Sequence, residues 1–154
     1  RGKCVGINIS ARDPRHRWAG TKTVKLCESL ISRGQIPLLL STLSDRKTAL
    51  RIARSISGII VAPECPTLLH AAALIRDFAI FITPDTGLVH IAAAFGTPVV
   101  GLYCENESHL PLWYPWRVEN EVIENREKVD NITVSDVEKA VEKLVKRTAG
   151  IDLI

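Results

Sequence analysis

Residues 79–103 read Ala79-Ile80-Phe81-Ile82-Thr83-Pro84-Asp85-Thr86-Gly87-Leu88-Val89-His90-Ile91-Ala92-Ala93-Ala94-Phe95-Gly96-Thr97-Pro98-Val99-Val100-Gly101-Leu102-Tyr103. Two continuous apolar runs, 79–82 and 98–103, flank a segment whose apolar residues recur at helical spacing. Pro84 fixes a turn after the first run, and Gly96 with Pro98 ends the helical segment. The order is strand, turn, helix, strand. Neither strand alternates apolar with polar. A strand buried on both faces reads that way, as in a parallel sheet covered by helices.

The alternation continues on both sides. Apolar runs at 4–9, 37–40 and 59–61 are further candidate strands. Val24, Cys27, Leu30 and Ile31 form one helical stripe, closed by Gly34. Ala49, Ile52, Ala53 and Ile56 form a second, with Gly58 just beyond. Leu68, Leu69, Ala72 and Ile75 form a third behind Pro66, which suits a first helical position. Leu88, Ile91, Ala92 and Phe95 form a fourth. Near the end, Ser135 with Glu138 is a candidate capping box ahead of the stripe Val137, Ala140, Val141, Leu144 and Val145. This pattern predicts an α/β fold built on a Rossmann-like, doubly wound parallel sheet. Residues 104–120 read as an irregular ordered loop, 1–148 as one domain and 149–154 as a tail. No internal repeat, low-complexity segment or linker interrupts the pattern.

Ligands of such sheets bind beyond the carboxyl ends of the strands. Those ends carry the polar punctuation of the chain: Ser10-Ala11-Arg12, Ser41 to Asp45, Ala62-Pro63-Glu64, Thr83 to Gly87 and Cys104-Glu105-Asn106. Single polar residues there are ordinary turn chemistry. The concentration at 83–87 is more than a turn needs. A glycine admits a ligand close to the backbone, and a helix starting near Thr86 or Gly87 offers unpaired N–H groups to an anion. Asp85 has three readings there: helix cap, acceptor from a sugar hydroxyl, or orienting group. His90 is the sole polar side chain between Leu88 and Phe95 and lies roughly opposite Leu88 on the helix. Contact with a bound phosphate, a structural role in the core and simple exposure are its alternatives.

Composition and missing motifs narrow the classes. The 154 residues suit one domain with one sizeable core. The net charge of +3 is too small to argue for nucleic acid, although Arg12, Arg15, His16 and Arg17 cluster in the loop after the first strand. No apolar run approaches the roughly 20 residues of a membrane span. The start, Arg1-Gly2-Lys3, has no secretory pattern. Methionine is absent and a strand begins almost at once, which suits an internal piece of a longer protein. Cys4, Cys27, Cys65 and Cys104 are scattered without a metal-binding spacing, Cys4 and Cys27 reading as small core hydrophobes, and a reducing cytoplasm fits them best. The chain lacks G-x-G-x-x-G, G-x-x-x-x-G-K-[ST] and G-x-S-x-G, which speaks against a nicotinamide dinucleotide site, a P-loop and a hydrolase elbow. It also lacks a D-x-D pair to hold a divalent metal on a diphosphate.

Asp85-Thr86-Gly87-Leu88-Val89-His90-Ile91-Ala92-Ala93-Ala94, followed by Gly96-Thr97-Pro98-Val99-Val100-Gly101-Leu102-Tyr103, resembles glycosyltransferase family 9, the ADP-heptose:lipopolysaccharide heptosyltransferases and their relatives. The loop from Ser10 through Arg12 to Trp18 and the segment from Ser41 to Ala53 are similar to the family's in the same order, so the resemblance covers about residues 1–118. It implies the C-terminal half of a two-domain, GT-B type enzyme. That half binds an ADP-sugar; the N-terminal domain, absent from this chain, holds the catalytic base and the lipid-linked acceptor. By motif, Asp85, Thr86, Gly87 and His90 would contact the diphosphate and heptose. Ser10 and Ala11 would stand where hydroxyl residues meet phosphate, and Asp45 would be the ribose contact, Leu43 being the other residue at that place. Where the family has lysine this chain has His16, leaving Arg15 or Arg17 to supply the charge.

The function implied is transfer of heptose, or a related sugar, from an ADP-sugar to a lipopolysaccharide core acceptor, with inversion at the anomeric carbon. No metal or other cofactor is expected. The implied setting is the bacterial cytoplasm, extending to peripheral contact with the inner face of the inner membrane. A sugar-nucleotide epimerase half-domain and a non-catalytic nucleotide-binding module are the alternatives.

Overall fold

The computed structural model describes residues 2–104 and 110–148. Its centre is a six-stranded, wholly parallel sheet in the order β3-β2-β1-β4-β5-β6. The strands are β1 (Cys4–Asn8), β2 (Ile36–Leu40), β3 (Ile60–Val61), β4 (Ile80–Pro84), β5 (Val99–Cys104) and β6 (Asn120–Asn125). The helices are α1 (Gly20–Ser32), α2 (Arg46–Ser55), α3 (Leu68–Arg76), α4 (Leu88–Ala94), α5 (Leu110–Trp113) and α6 (Val134–Thr148). The order reverses at β1, which pairs with β2 on one side and β4 on the other, Val5 lying opposite both Pro37 and Ile80.

Alternate residues of the central strands feed two cores. Val5, Ile7, Leu39, Ile82, Val100 and Leu102 pack under α1, α2 and α6, against Leu26, Leu30, Ile52, Val137 and Leu144. Leu40, Phe81 and Val99 pack on the other face against Ala71, Ile75, Phe78 and Ala92 of the α3–α4 side. Burial on both faces explains why these strands are apolar throughout. Gly6 is what lets the second core close. A Cβ there would stand 2.1 Å from the Phe78 ring, which stacks on Phe81 with centroids 5.8 Å apart.

Several sequence expectations need correction, among them the α3 stripe, whose Leu68 and Leu69 are exposed while Ala71 and Ile75 are buried. Residues 104–120 were expected as an irregular ordered loop, and the last strand named was 98–103. The structure places α5 in that stretch and adds the edge strand β6, whose residues Asn-Glu-Val-Ile-Glu-Asn are mostly half-buried. An edge strand satisfied by Arg147 to Glu121 (2.6 Å) needs no apolar run. The capping box of α6 is Thr133 with Asp136, not Ser135 with Glu138: Asp136 N–H donates to Thr133 Oγ1 (3.2 Å) and Thr133 N–H to Asp136 Oδ2 (3.2 Å). Pro66 precedes Thr67, the N-cap of α3, and is not its first helical residue. In α4 the buried residues are Val89 and Ala92, while Phe95 is exposed.

Gly34 and Gly96, at φ +76° and +61°, end α1 and α4. Gln35 N–H reaches Leu30 O (3.0 Å), and Thr97 N–H reaches Ala92 O (2.9 Å), the bonds of a left-handed helix stop. The expected ends Glu105-Asn106 and the tail 149–154 lie outside the described residues. No helix among the described residues is long and apolar enough to cross a membrane.

Candidate functional site

The carboxyl ends of β1, β2 and β4, with the loop from β3 to α3, enclose an open cleft of about 1040 Å³. It lies at the reversal point between β1 and β4, where open parallel sheets bind ligands. A second cavity of about 910 Å³ sits at the opposite end of the sheet, between α1 and α6. It touches none of the strand ends singled out by the sequence, and its walls, such as Val5, Ile80 and Val141, are mainly apolar.

Asn8, last residue of β1, organises the cleft floor. Its Nδ2 donates to Thr83 Oγ1 (3.1 Å) and Thr86 Oγ1 (3.4 Å), and its Oδ1 accepts from Ser10 N–H (3.0 Å). One buried amide thus ties the loop after β1 to the Asp85-Thr86-Gly87 turn across the reversal point. Thr83 Oγ1 donates in turn to Pro84 O (2.8 Å). The sequence reading missed Asn8. Its signal was visible, as a lone amide inside the apolar run 4–9.

The loop after β1 is fixed from the far side. Trp18 is buried and its Nε1 donates to Ile132 O (3.0 Å), while Ala19 N–H donates to Asp130 Oδ1 (2.9 Å). Lys22 Nζ donates to Asp130 O as well. Within the loop, Asp13 accepts from Arg15 N–H (2.8 Å) and pairs with its guanidinium (2.7 Å). Those bonds lower the Asp13 pKa to about 2.

Ser10 and Ala11 are buried in the wall, and Ser10 Oγ accepts from Thr42 N–H (3.0 Å), joining the loops after β1 and β2. Asp45 is the N-cap residue of α2 but does not cap it with its side chain. Its carboxylate accepts instead from Arg17 (2.8 and 3.3 Å) and Thr42 Oγ1 (3.1 Å). Burial works against its charge, but hydrogen bonds from Arg17, Ser10 and Thr42 outweigh burial and hold the pKa below the usual carboxylate value.

Asp85, Thr86 and Gly87 form the opposite wall. The N-cap of α4 is Gly87, two residues after Asp85. Gly87 has an ordinary φ of −56°, and a Cβ there would meet nothing within 4 Å. The missing side chain therefore leaves room in the cleft and relieves no strain. With seven residues, α4 has a small dipole, so its first amides matter more than its macrodipole. Beneath the turn, burial first and the Asp85 charge second push the Tyr103 hydroxyl pKa upward; that hydroxyl donates to Trp113 O (2.8 Å).

Of the sequence-derived candidates, Ser10, Ala11, Arg17, Asp45, Asp85, Thr86 and Gly87 line one cleft. Two do not join its wall. Arg15 lies outside it on Asp13, and His90 is exposed on α4 with its ring centroid 6.1 Å from that of Trp113. All four cysteines are free thiols. Cys27 is buried as expected, with its pKa raised by burial to about 12, while Cys4 is half-buried.

Against this geometry stand the comparisons with known proteins. The model of glycosyltransferase family 9 (heptosyltransferase) matches residues 1–141. The chain belongs to this family. Among curated family 9 relatives, lipopolysaccharide heptosyltransferase 3 of Escherichia coli is 29% identical, over 94% of this chain and 47% of its own length. A family 9 glycosyl transferase structure from Veillonella parvula superposes with a TM-score of 0.83 at 20% identity, covering 94% of this chain and 46% of that one. The E. coli heptosyltransferase WaaC, solved with ADP, gives 0.81 at 19%, covering 93% and 44%. This family 9 chain therefore spans less than half the length of those relatives, and its sheet is that of the GT-B glycosyltransferases.

Proposed function

We propose that this chain is the donor-binding domain of a glycosyltransferase that moves heptose, or a related sugar, from an ADP-sugar to a lipopolysaccharide core acceptor. The observation that carries the reading is the cleft at the reversal point, where Asp85, Thr86 and Gly87 face Ser10 and Asp45. Family membership supports it. So does the likeness to WaaC, which has been solved with ADP and with ADP-2-deoxy-2-fluoro heptose.

In this reading the ionised Asp45 accepts from the ribose hydroxyls. The amides and hydroxyl of the Thr86-Gly87 turn, together with Ser10, receive the diphosphate, and the space beside Gly87 admits it. His90, one turn along α4 on the exposed side, reaches the outer edge of the diphosphate or the sugar. No metal is assigned a role: turn amides and the basic loop carry the charge of the leaving group.

Transfer breaks the bond from the anomeric carbon to the diphosphate oxygen, whose electron pair leaves with ADP. The acceptor oxygen bonds to the opposite face of that carbon and gives its proton to a base. The base must lie within about 2.6–3.2 Å of the acceptor hydroxyl, across the sugar from the diphosphate. The carboxylates lining this cleft stand on the diphosphate side, so the base and the lipid-linked acceptor are assigned to a second domain. The setting proposed is the bacterial cytoplasm, at the inner face of the inner membrane.

The test is ADP release from ADP-heptose with a lipid-linked acceptor, by this chain alone and with the acceptor domain of a family 9 relative added. Release that needs both acceptor and added domain is expected. Acceptor-dependent release by this chain alone would overturn the division of labour. No release in either case would move the reading to a non-catalytic nucleotide-binding module.

A further inference from the structure

The loop at 12–17 holds four side chains able to carry positive charge, and the structure separates their duties. Arg15 is spent on Asp13, through its backbone N–H and its guanidinium, and stands outside the cleft wall. Arg17 lines the cleft, but two of its nitrogens are fixed on Asp45, so its charge is matched and its fork is occupied. The His16 ring nitrogen Nε2 is shut off from solvent and has no hydrogen-bond partner among the described residues, so nothing dissolved in the cleft can touch it as it stands.

Arg12 differs from all three. It follows Ser10-Ala11 directly, lines the cleft, is exposed, and has no hydrogen bond or ion pair among the described residues. The charged residues of the wall make the difference matter. Asp13, Asp45 and Asp85 are acidic, against Arg12 and Arg17, and Arg17 is already matched. An incoming diphosphate adds at least two negative charges next to Asp85. Among the described residues of the wall, the cation that can turn to it without breaking an existing pair is Arg12. A guanidinium also suits phosphate oxygens, because it offers two parallel N–H donors.

We propose that Arg12 supplies the positive charge that meets the donor's diphosphate, and that Arg17 is a positioning residue acting on the donor only through Asp45. This rests on the donor-site reading above. It divides the basic loop between phosphate and ribose, a division the sequence alone left open among Arg15, His16 and Arg17.

The experiment titrates the 154-residue chain with ADP and, separately, with adenosine, which keeps the ribose and lacks phosphate. Arg12→Ala should weaken ADP roughly 10- to 150-fold, as loss of a charge-assisted hydrogen bond does, and leave adenosine binding unchanged. Arg12→Lys should recover part of the loss. Arg17→Ala should weaken ADP and adenosine by the same factor, because the defect lies at the ribose. Equal ADP affinity in Arg12→Ala and wild type would overturn the assignment. So would an ADP loss on Arg15→Ala in place of Arg12→Ala, or equal losses of ADP and adenosine on Arg12→Ala. If wild type binds neither compound, the donor-site reading fails and takes Arg12's role with it. If wild type binds both and the Arg12 variant matches it, Arg12's role alone fails.

Discussion

Asp45 sits where an aspartate ordinarily caps its own helix, yet its carboxylate turns outward to Arg17 and Thr42. Burial alone would raise its pKa; the bonds from Arg17, Ser10 and Thr42 more than reverse that. A carboxylate depressed in the folded state adds stability that is complete above its unfolded pKa of about 3.9 and is lost as pH falls through the folded value. Asp45→Asn should therefore be less stable than wild type near neutral pH, with the gap closing as pH drops below about 4. Urea unfolding across that range measures it. A gap that stays constant into strong acid would show that the ion pair contributes nothing beyond shape. At this scale the sequence was informative about identity and silent about pairing. Asp45, Asp85 and Thr86 stood out as polar residues at strand ends. That Arg17 would spend itself on Asp45, a partner 28 residues on, depends on two loops meeting in space, which no local pattern encodes.

β1 and α4 are the elements that shape the cleft, and β1 depends on a small residue. In β1, Gly6 takes the Phe78 ring against its Cα, so the second core closes beneath the Asp85-Thr86-Gly87 turn. Gly6→Ala inserts a methyl where 2.1 Å is available, and overpacking of this kind costs about 1–3 kcal/mol. A fall in Tm is expected, with part of it recovered by adding Phe78→Leu; an unchanged Tm would mean that the ring has somewhere else to go. The buried elements were legible because a strand covered on both faces must be apolar from end to end. β6 was not, because an edge strand balances Glu121 with Arg147 and Lys143 and has no such signature. The cap of α6 was misplaced by two residues because Thr133, Ser135, Asp136 and Glu138 offer two overlapping boxes in the sequence. The bonds between Thr133 and Asp136 in the folded chain decide between them.

Over the whole molecule, one architectural fact organises the rest: the strand order reverses at β1, and the motif residues collect at the carboxyl ends beside that reversal. Asn8 bridges the two sides of the reversal, Trp18 anchors the basic loop from behind, and Gly87 leaves the space open. The alternation of strands and helices made this arrangement foreseeable, since parallel sheets of this kind have few topologies. The cleft's inner bonding was not foreseeable, since it joins residues 8, 10, 42, 83 and 86 from three separate strand ends. The chain covers less than half of its family 9 relatives, so the central claim is about binding rather than turnover. Calorimetric titration of the chain with ADP, UDP and GDP in excess EDTA tests it most directly. The account predicts metal-independent binding of ADP, weakened by Asp45→Asn in a chain that remains folded. Equal failure of all three nucleotides to bind a folded chain would contradict it.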